Sequence, residues 1–134
     1  MWTANPLSGR VALIDAKTLA VTLDTAGDGP SEVLGLPDRG AGFGALVLNE
    51  RSDDATLFRL DAEGRAAKTA RLRTHPTANA WAASASGAYA IAWADSARLG
   101  RVPDPLETFQ DVSVLTLMPG AESSQALSIG RRPS

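Results

Sequence analysis

The sequence contains no cysteine, a single histidine and few aromatic residues, which make up 5% of its 134 positions. The lack of cysteine excludes disulfides and thiolate metal sites, although it does not decide the compartment. With one histidine there is no second imidazole to share a metal, so we predict no metal site and no bound cofactor. No stretch approaches the ~20 apolar residues of a membrane-spanning helix, so we predict no membrane span.

Charge of one sign is not concentrated anywhere along the chain. The 13 basic and 15 acidic residues are well mixed and give a net charge of −2. Nucleic acids and anionic membranes are bound by clusters of basic residues, so we predict neither as a partner. The hydrophobic content of 44% is enough for a packed core, and the length suits a single domain over residues 1–134.

A repeat organises the chain, and prolines mark the links between its units. Pro30 in "DGPS", Pro76 in "THPT" and Pro133 in "RRPS" stand in similar contexts. The first two lie 46 residues apart, and the last two lie 57 apart. The register of the surrounding residues places the extra length in an insertion over residues 96–110.

Each unit is predicted to form four short strands separated by turns rich in Gly, Pro and Asp. The strands of the first complete unit are 31–36, 43–49, 54–61 and 65–73, and those of the second are 78–84, 87–95, 111–117 and 123–129. "FGALVLN" and "AYAIAWA" are apolar at consecutive positions, which indicates strands buried on both faces. Sheets stacked against one another would meet that condition.

The segment "ALVLNERSDDATLFRLDAEGRA" resembles the YVTN-type bacterial β-propeller repeat, and "VALIDAKTLAV" is similar to its third and fourth strands. Asn49, Asp54, Thr56, Leu60, Asp61 and Gly64 fall on the positions that this repeat expects. The resemblance implies an all-β, propeller-type array of about two and a half four-stranded antiparallel blades. It also implies that the insertion opens on the same face as His75 and Pro76. The sequence departs from the repeat at Asn79 and Met118.

The resemblance further implies a non-catalytic scaffold for ligand or protein binding, in a bacterial periplasmic or cell-surface protein. A propeller needs four to eight blades, so this array is expected to be completed. Either other blades of a longer chain or self-association would complete it. We favour a fragment of a larger protein, because both ends of the repeat fall inside units.

The candidate binding residues are His75 and the charged residues of the insertion, Arg98, Arg101, Asp104 and Glu107. His75 is interpreted either as a ligand contact or general base, or as a loop residue that replaces Gly29 of the preceding unit. We favour the second, since no other histidine supports catalysis. The insertion is either a binding loop, which two prolines pre-order, or a lid over a sheet edge.

An enzymatic alternative remains at this stage. Propellers of the lactonase-like and quinone-dependent dehydrogenase-like kinds assemble their sites from several blades, so such a site would lie on blades that this chain lacks. Asp53 and Asp54 lack the alternating oxygen ligands of a calcium loop. We therefore predict no catalytic residue within the chain.

Overall fold

The computed structural model describes residues 1–38, 43–76, 78–98 and 111–128. Within these residues the regular structure consists of β-strands and one 3₁₀ turn, Ser96–Arg98. The first sheet contains β1 (Trp2–Asn5), β2 (Arg10–Ile14) and β3 (Val21–Thr25). The second sheet contains β4 (Pro30–Leu36), β5 (Gly44–Asn49), β6 (Asp54–Leu60) and β7 (Ala66–Arg73). The third sheet contains β8 (Ala80–Ala83), β9 (Tyr89–Trp93), β10 (Asp111–Thr116) and β11 (Ser123–Ser128).

Each sheet is an antiparallel meander in which consecutive strands are neighbours. The prediction of an all-β chain of antiparallel sheets is confirmed. The predicted strand bounds also agree closely, since the segments expected at 54–61 and 65–73 form β6 and β7. Pro30 begins β4 and Pro76 lies between β7 and β8, whereas Pro133 lies outside the described residues.

The turns that follow β2 and β6 are built by an aspartate at the same place. Asp15 Oδ1 accepts the N–H groups of Lys17 and Thr18, and Asp61 Oδ1 accepts those of Glu63 and Arg65. Such local bonds replace backbone pairing where the chain reverses. These N–H groups hold the pKa of both exposed carboxyl groups below the ordinary value of 3.8, with Thr18 and Arg65 as the largest contributors.

Apolar side chains between the second and third sheets form the main core. Leu46, Leu48 and Leu57 are fully buried there, and each contributes about 2 kcal/mol through burial. The cluster comprises Leu36, Leu46, Leu48, Ala55, Leu57, Leu72, Ala78, Trp81, Ala90, Ala92, Leu115 and Leu117. The sheets therefore pack face to face.

A smaller cluster joins the first sheet to the second. Val11 and Ala26 pack there on Val47 and Phe58, and the Trp2 ring lies 5.5 Å from that of Phe58. All six residues of β5 are buried, which confirms the prediction that this strand is covered on both faces. The second sheet is thus enclosed between its neighbours.

The matching prediction for the segment that forms β9 is wrong. Ala90 and Ala92 are buried against the second sheet, but Tyr89 and Ile91 are 46% and 41% exposed. Alternate residues of a strand point to opposite faces, and the outer face of the third sheet has no neighbour within the described residues. The apolar residues Tyr89 and Ile91 therefore lie on the outer face of the third sheet, which no described residue covers.

The pairing registers also refine the repeat. Asn5 pairs with Arg10 as Asn49 pairs with Asp54, and each turn ends in a left-handed residue, Gly9 (φ 68°) or Asp53 (φ 53°). Asn5 therefore corresponds to Asn49 at an interval of 44 residues, two fewer than the 46 that separate Pro30 from Pro76.

Candidate binding site at the link end

The connections between sheets gather at one end, which we call the link end. It comprises the first link (26–29), the β5–β6 turn (50–53), the second link (74–76 and 78–79) and the base of the insertion (95–98). Backbone bonds join them, because Glu50 N donates to Gly29 O and Thr74 N donates to Asp53 O, both at 3.0 Å. The Arg98 guanidinium donates to Asn79 O at 3.0 Å, which brings the insertion base to the second link.

Both links are fastened by a hydroxyl on the third strand of the following sheet. Thr56 Oγ1 donates to Ala26 O at 3.0 Å, and Ser113 Oγ accepts the His75 N–H at 2.7 Å. Thr56 and Ser113 are themselves buried, so water does not compete for these bonds. The link backbone is held in place by the sheet beneath it, which gives the link end a rigid base.

A buried polar network supports the β5–β6 turn. Asn49 is fully buried, and its Nδ2 donates to Asp54 Oδ1 at 2.8 Å and to Thr56 Oγ1 at 3.0 Å. The Asp54 carboxylate also accepts from Ser52 Oγ at 3.0 Å and pairs with the Arg71 guanidinium. Several donors therefore compensate the desolvation of this charge.

From the sequence, Asn49, Asp54 and Thr56 are predicted only as positions of the repeat. The structure shows instead one network that joins two strands and a link. The sequence does contain a sign of this network, because Asn49, Asp54 and Thr56 are polar residues at the ends of two otherwise apolar strands. Buried polar groups in strands need hydrogen-bond partners, so such residues are expected to bond to one another.

A polar cleft of about 520 Å³ opens beside this network. Its lining is supplied by Ser52, Asp53, Asp54, Arg71, Arg73, Thr74 and Pro76. Arg73 is exposed and has no ion-pair partner among the described residues. Thr74 is 3% exposed, and its hydroxyl has no hydrogen-bond partner in the same part of the chain. The cleft therefore offers the Arg73 guanidinium and the polar groups of Ser52 and Asp53 to a ligand, while the Thr74 hydroxyl stays buried.

His75 lies between two cleft residues but does not line the cleft. It is half-buried, and its Nε2 is buried without a hydrogen-bond partner among the described residues. Its backbone conformation differs from that of Gly29, which has φ 64°, since His75 is not left-handed. The two links therefore differ in backbone conformation at this position.

Arg98 is engaged inside the chain. Its Nη1 lies 2.7 Å from Glu32 Oε1 of β4, and its Nε lies 3.7 Å from Asp95 Oδ2. Asn79 meets the same segment, because its amide both accepts from Asp95 N at 2.6 Å and donates to Asp95 O at 3.1 Å. The Asn79 side chain thus ties the second link to the residue where the insertion begins.

The other predicted insertion residues, Arg101, Asp104 and Glu107, lie outside the described residues. In the part of the chain that is described, no group of three or more His, Cys, Asp or Glu side chains is placed to hold a metal ion. No helix in that part has the length and apolar character required to cross a membrane. The structure thus brings together His75, Arg98 and the cleft at one end.

Comparison with known families finds no match, and comparisons with curated proteins and with solved structures find none either.

Proposed function

We propose that the chain is a β-propeller-type array acting as a non-catalytic binding scaffold, with its ligand site at the link end. The observation that carries this proposal is the stacking of meander sheets in chain order, each covering the next with a whole face. Blades of a propeller pack in this way. The resemblance of residues 45–66 to the YVTN-type repeat supports a place in a larger bacterial periplasmic or cell-surface protein.

The link end suits binding because its loops rest on a rigid base. Loops carried by a fixed scaffold lose little conformational entropy when a ligand binds. The cleft provides Arg73 as an exposed cation, and the insertion begins at the same end. We infer a polar ligand, or a polar segment of a protein, as the partner.

The lactonase-like and quinone-dependent alternatives gain no support from the described residues. Catalysis of either kind requires several convergent groups, whereas Asp54 and Arg71 neutralise each other and His75 does not line the cleft. The scaffold is therefore the function that the geometry favours.

Backbone-amide chemical shifts of the isotope-labelled chain test the proposal. Acetate, inorganic phosphate and glucose serve as separate probes of small anionic and hydroxylated ligands. We expect the largest shifts at Ser52, Arg73 and Thr74, and none at the turn of Asp61 at the opposite end. Arg73→Ala removes the shifts, whereas Arg65→Ala, which removes an exposed arginine at that opposite turn, leaves them unchanged. Shifts that survive Arg73→Ala, or none with any probe, would overturn the site.

A further inference from the structure

The cleft at the link end is lined by two acidic and two basic side chains, and one acid–base pair among them is already neutralised within the protein. The Asp54 carboxylate bonds to the Arg71 guanidinium and accepts from Ser52 Oγ at 3.0 Å. Asp54 is itself buried. Because internal donors satisfy this carboxylate, it does not need a ligand to compensate its charge. A ligand in the cleft therefore responds mainly to the other two charges.

Those other charges are the carboxylate of Asp53 and the guanidinium of Arg73. Both residues line the cleft, with Arg73 exposed and Asp53 half-buried. Neither has an ion-pair partner among the described residues. The two groups do not pair with each other either, so their charged atoms lie more than 4.0 Å apart. One cavity is thus lined by a free negative charge and a free positive charge that are not in contact.

The backbone fixes the positions from which these two side chains extend. Asp53 is left-handed, with φ 53°, a conformation that is uncommon for residues other than glycine and is held only by its surroundings. Its carbonyl accepts the Thr74 N–H at 3.0 Å, which joins the turn to the residue that follows Arg73. Arg73 is also paired with Asp54 at the end of the β6–β7 ladder. Both backbone positions are therefore set before a ligand binds, which lowers the entropy cost of binding.

We propose that the cleft binds a small zwitterion, such as a free amino acid, whose ammonium group pairs with Asp53 and whose carboxylate pairs with Arg73. The inference rests on the proposed binding site at the link end and names its ligand class. An anion alone would pair with Arg73 but would be repelled by Asp53, and a cation alone would meet the reverse. A zwitterion pairs with both charges. The cleft, at about 520 Å³, is within the ~300–1,000 Å³ of small-molecule sites.

Titrations of the isotope-labelled chain, followed by the backbone-amide shifts of Ser52, Arg73 and Thr74, test the ligand class. Glycine, β-alanine and γ-aminobutyrate are the zwitterions, and their charges are separated by increasing distances. Acetate and methylammonium are the probes with a single charge, compared at the same ionic strength because salt screens exposed charges. We expect at least one zwitterion to bind about threefold or more tightly than either of these, since an exposed ion pair contributes modestly.

Two conservative variants test the role of each charge. Asp53→Asn removes the negative charge, and asparagine is also among the residues that adopt the left-handed conformation, so the turn is kept. We expect this variant to lose the preference for the zwitterion over acetate while it still binds acetate. Arg73→Gln should lose the preference over methylammonium while it still binds methylammonium. Glu50→Gln is the matched control, because Glu50 is an exposed acid of the same turn that does not line the cleft, and it should keep both preferences.

The outcomes separate this proposal from the binding scaffold on which it rests. Acetate that binds at the cleft as tightly as every zwitterion would overturn the zwitterion and leave the polar site in place. A preference over acetate that survives Asp53→Asn would overturn the ammonium pairing, with the same consequence for the site. Absence of shifts at the link end with every probe would refute the site itself, and the ligand class with it.

Discussion

Replacing Asn49 by alanine should lower the free energy of unfolding, because it removes two buried hydrogen bonds. The side chain is fully buried and donates to Asp54 and Thr56 at 2.8 and 3.0 Å. A bond to a charged acceptor and one to a neutral acceptor together are worth about 3 kcal/mol. Asn49 Oδ1 has no partner among the described residues, so its removal offsets part of that loss. We expect a net loss of about 2 kcal/mol in the free energy of unfolding.

Urea unfolding followed by circular dichroism measures this loss. With a slope of about 1.5 kcal/mol per molar, typical for a chain of this size, the midpoint falls by about 1.3 M while the slope stays constant. Asn5→Ala is the matched control. Asn5 holds the corresponding hairpin position in the first sheet, but it is exposed, and among the described residues its side chain bonds only to the N–H groups of Leu7 and Ser8. Water replaces those bonds, so the expected loss is below about 1 kcal/mol. Equal losses for the two variants would refute the network as a source of stability.

Three further changes probe other parts of the chain. Gly27→Ala places a Cβ 2.6 Å from Asn49 Nδ2, so we expect the free energy of urea unfolding to fall by about 2 kcal/mol. Combining it with Asn49→Ala should cause little further loss, because the smaller side chain removes the clash. Because the pKa of Asp61 is lowered in the folded state, its contribution is present above the ordinary value of 3.8 and is lost as the pH falls through the folded pKa. Asp61→Asn should therefore flatten the acid side of a stability-against-pH curve, and an unchanged slope would contradict this. Lys68 Nζ lies 3.4 Å from Asp24 Oδ1 and 3.1 Å from Thr25 Oγ1, and the Lys68 side chain is exposed. Lys68→Ala should therefore lower the free energy of urea unfolding by less than about 1 kcal/mol, and a larger loss would contradict this reasoning.

The strands and turns could be predicted because their signals are local. An apolar strand such as "ALVLN" and a turn closed by Asp61 and Gly64 depend on neighbours only a few residues away. The repeat strengthened these predictions, since the same pattern appeared again in register. The enclosed position of β5 was also predictable, because a strand without polar alternation needs cover on both faces.

What sequence reasoning missed depends on contacts between distant residues. Arg98 was predicted as a ligand-binding residue, but its guanidinium contacts Glu32, which lies 66 positions earlier in the chain. The exposure of Ile91 depends on whether another sheet covers it, and no local pattern contains that information. The cleft joins a turn, the end of β7 and a link, so only the fold brings its lining together.

The positions where the units differ are the best guide to function. Residues that recur, such as Asp15 with Asp61 or Thr56 with Ser113, make the same turn or fasten the same link, so their recurrence reports architecture. At the second link the chain departs from that scheme. His75 stands where the first link has a left-handed glycine, and its imidazole Nε2 is buried without a partner among the described residues. A buried polar atom that brings no bond to the scaffold costs stability. The second link is therefore a place where the chain departs from its own repeat, and it lies beside the proposed binding cleft.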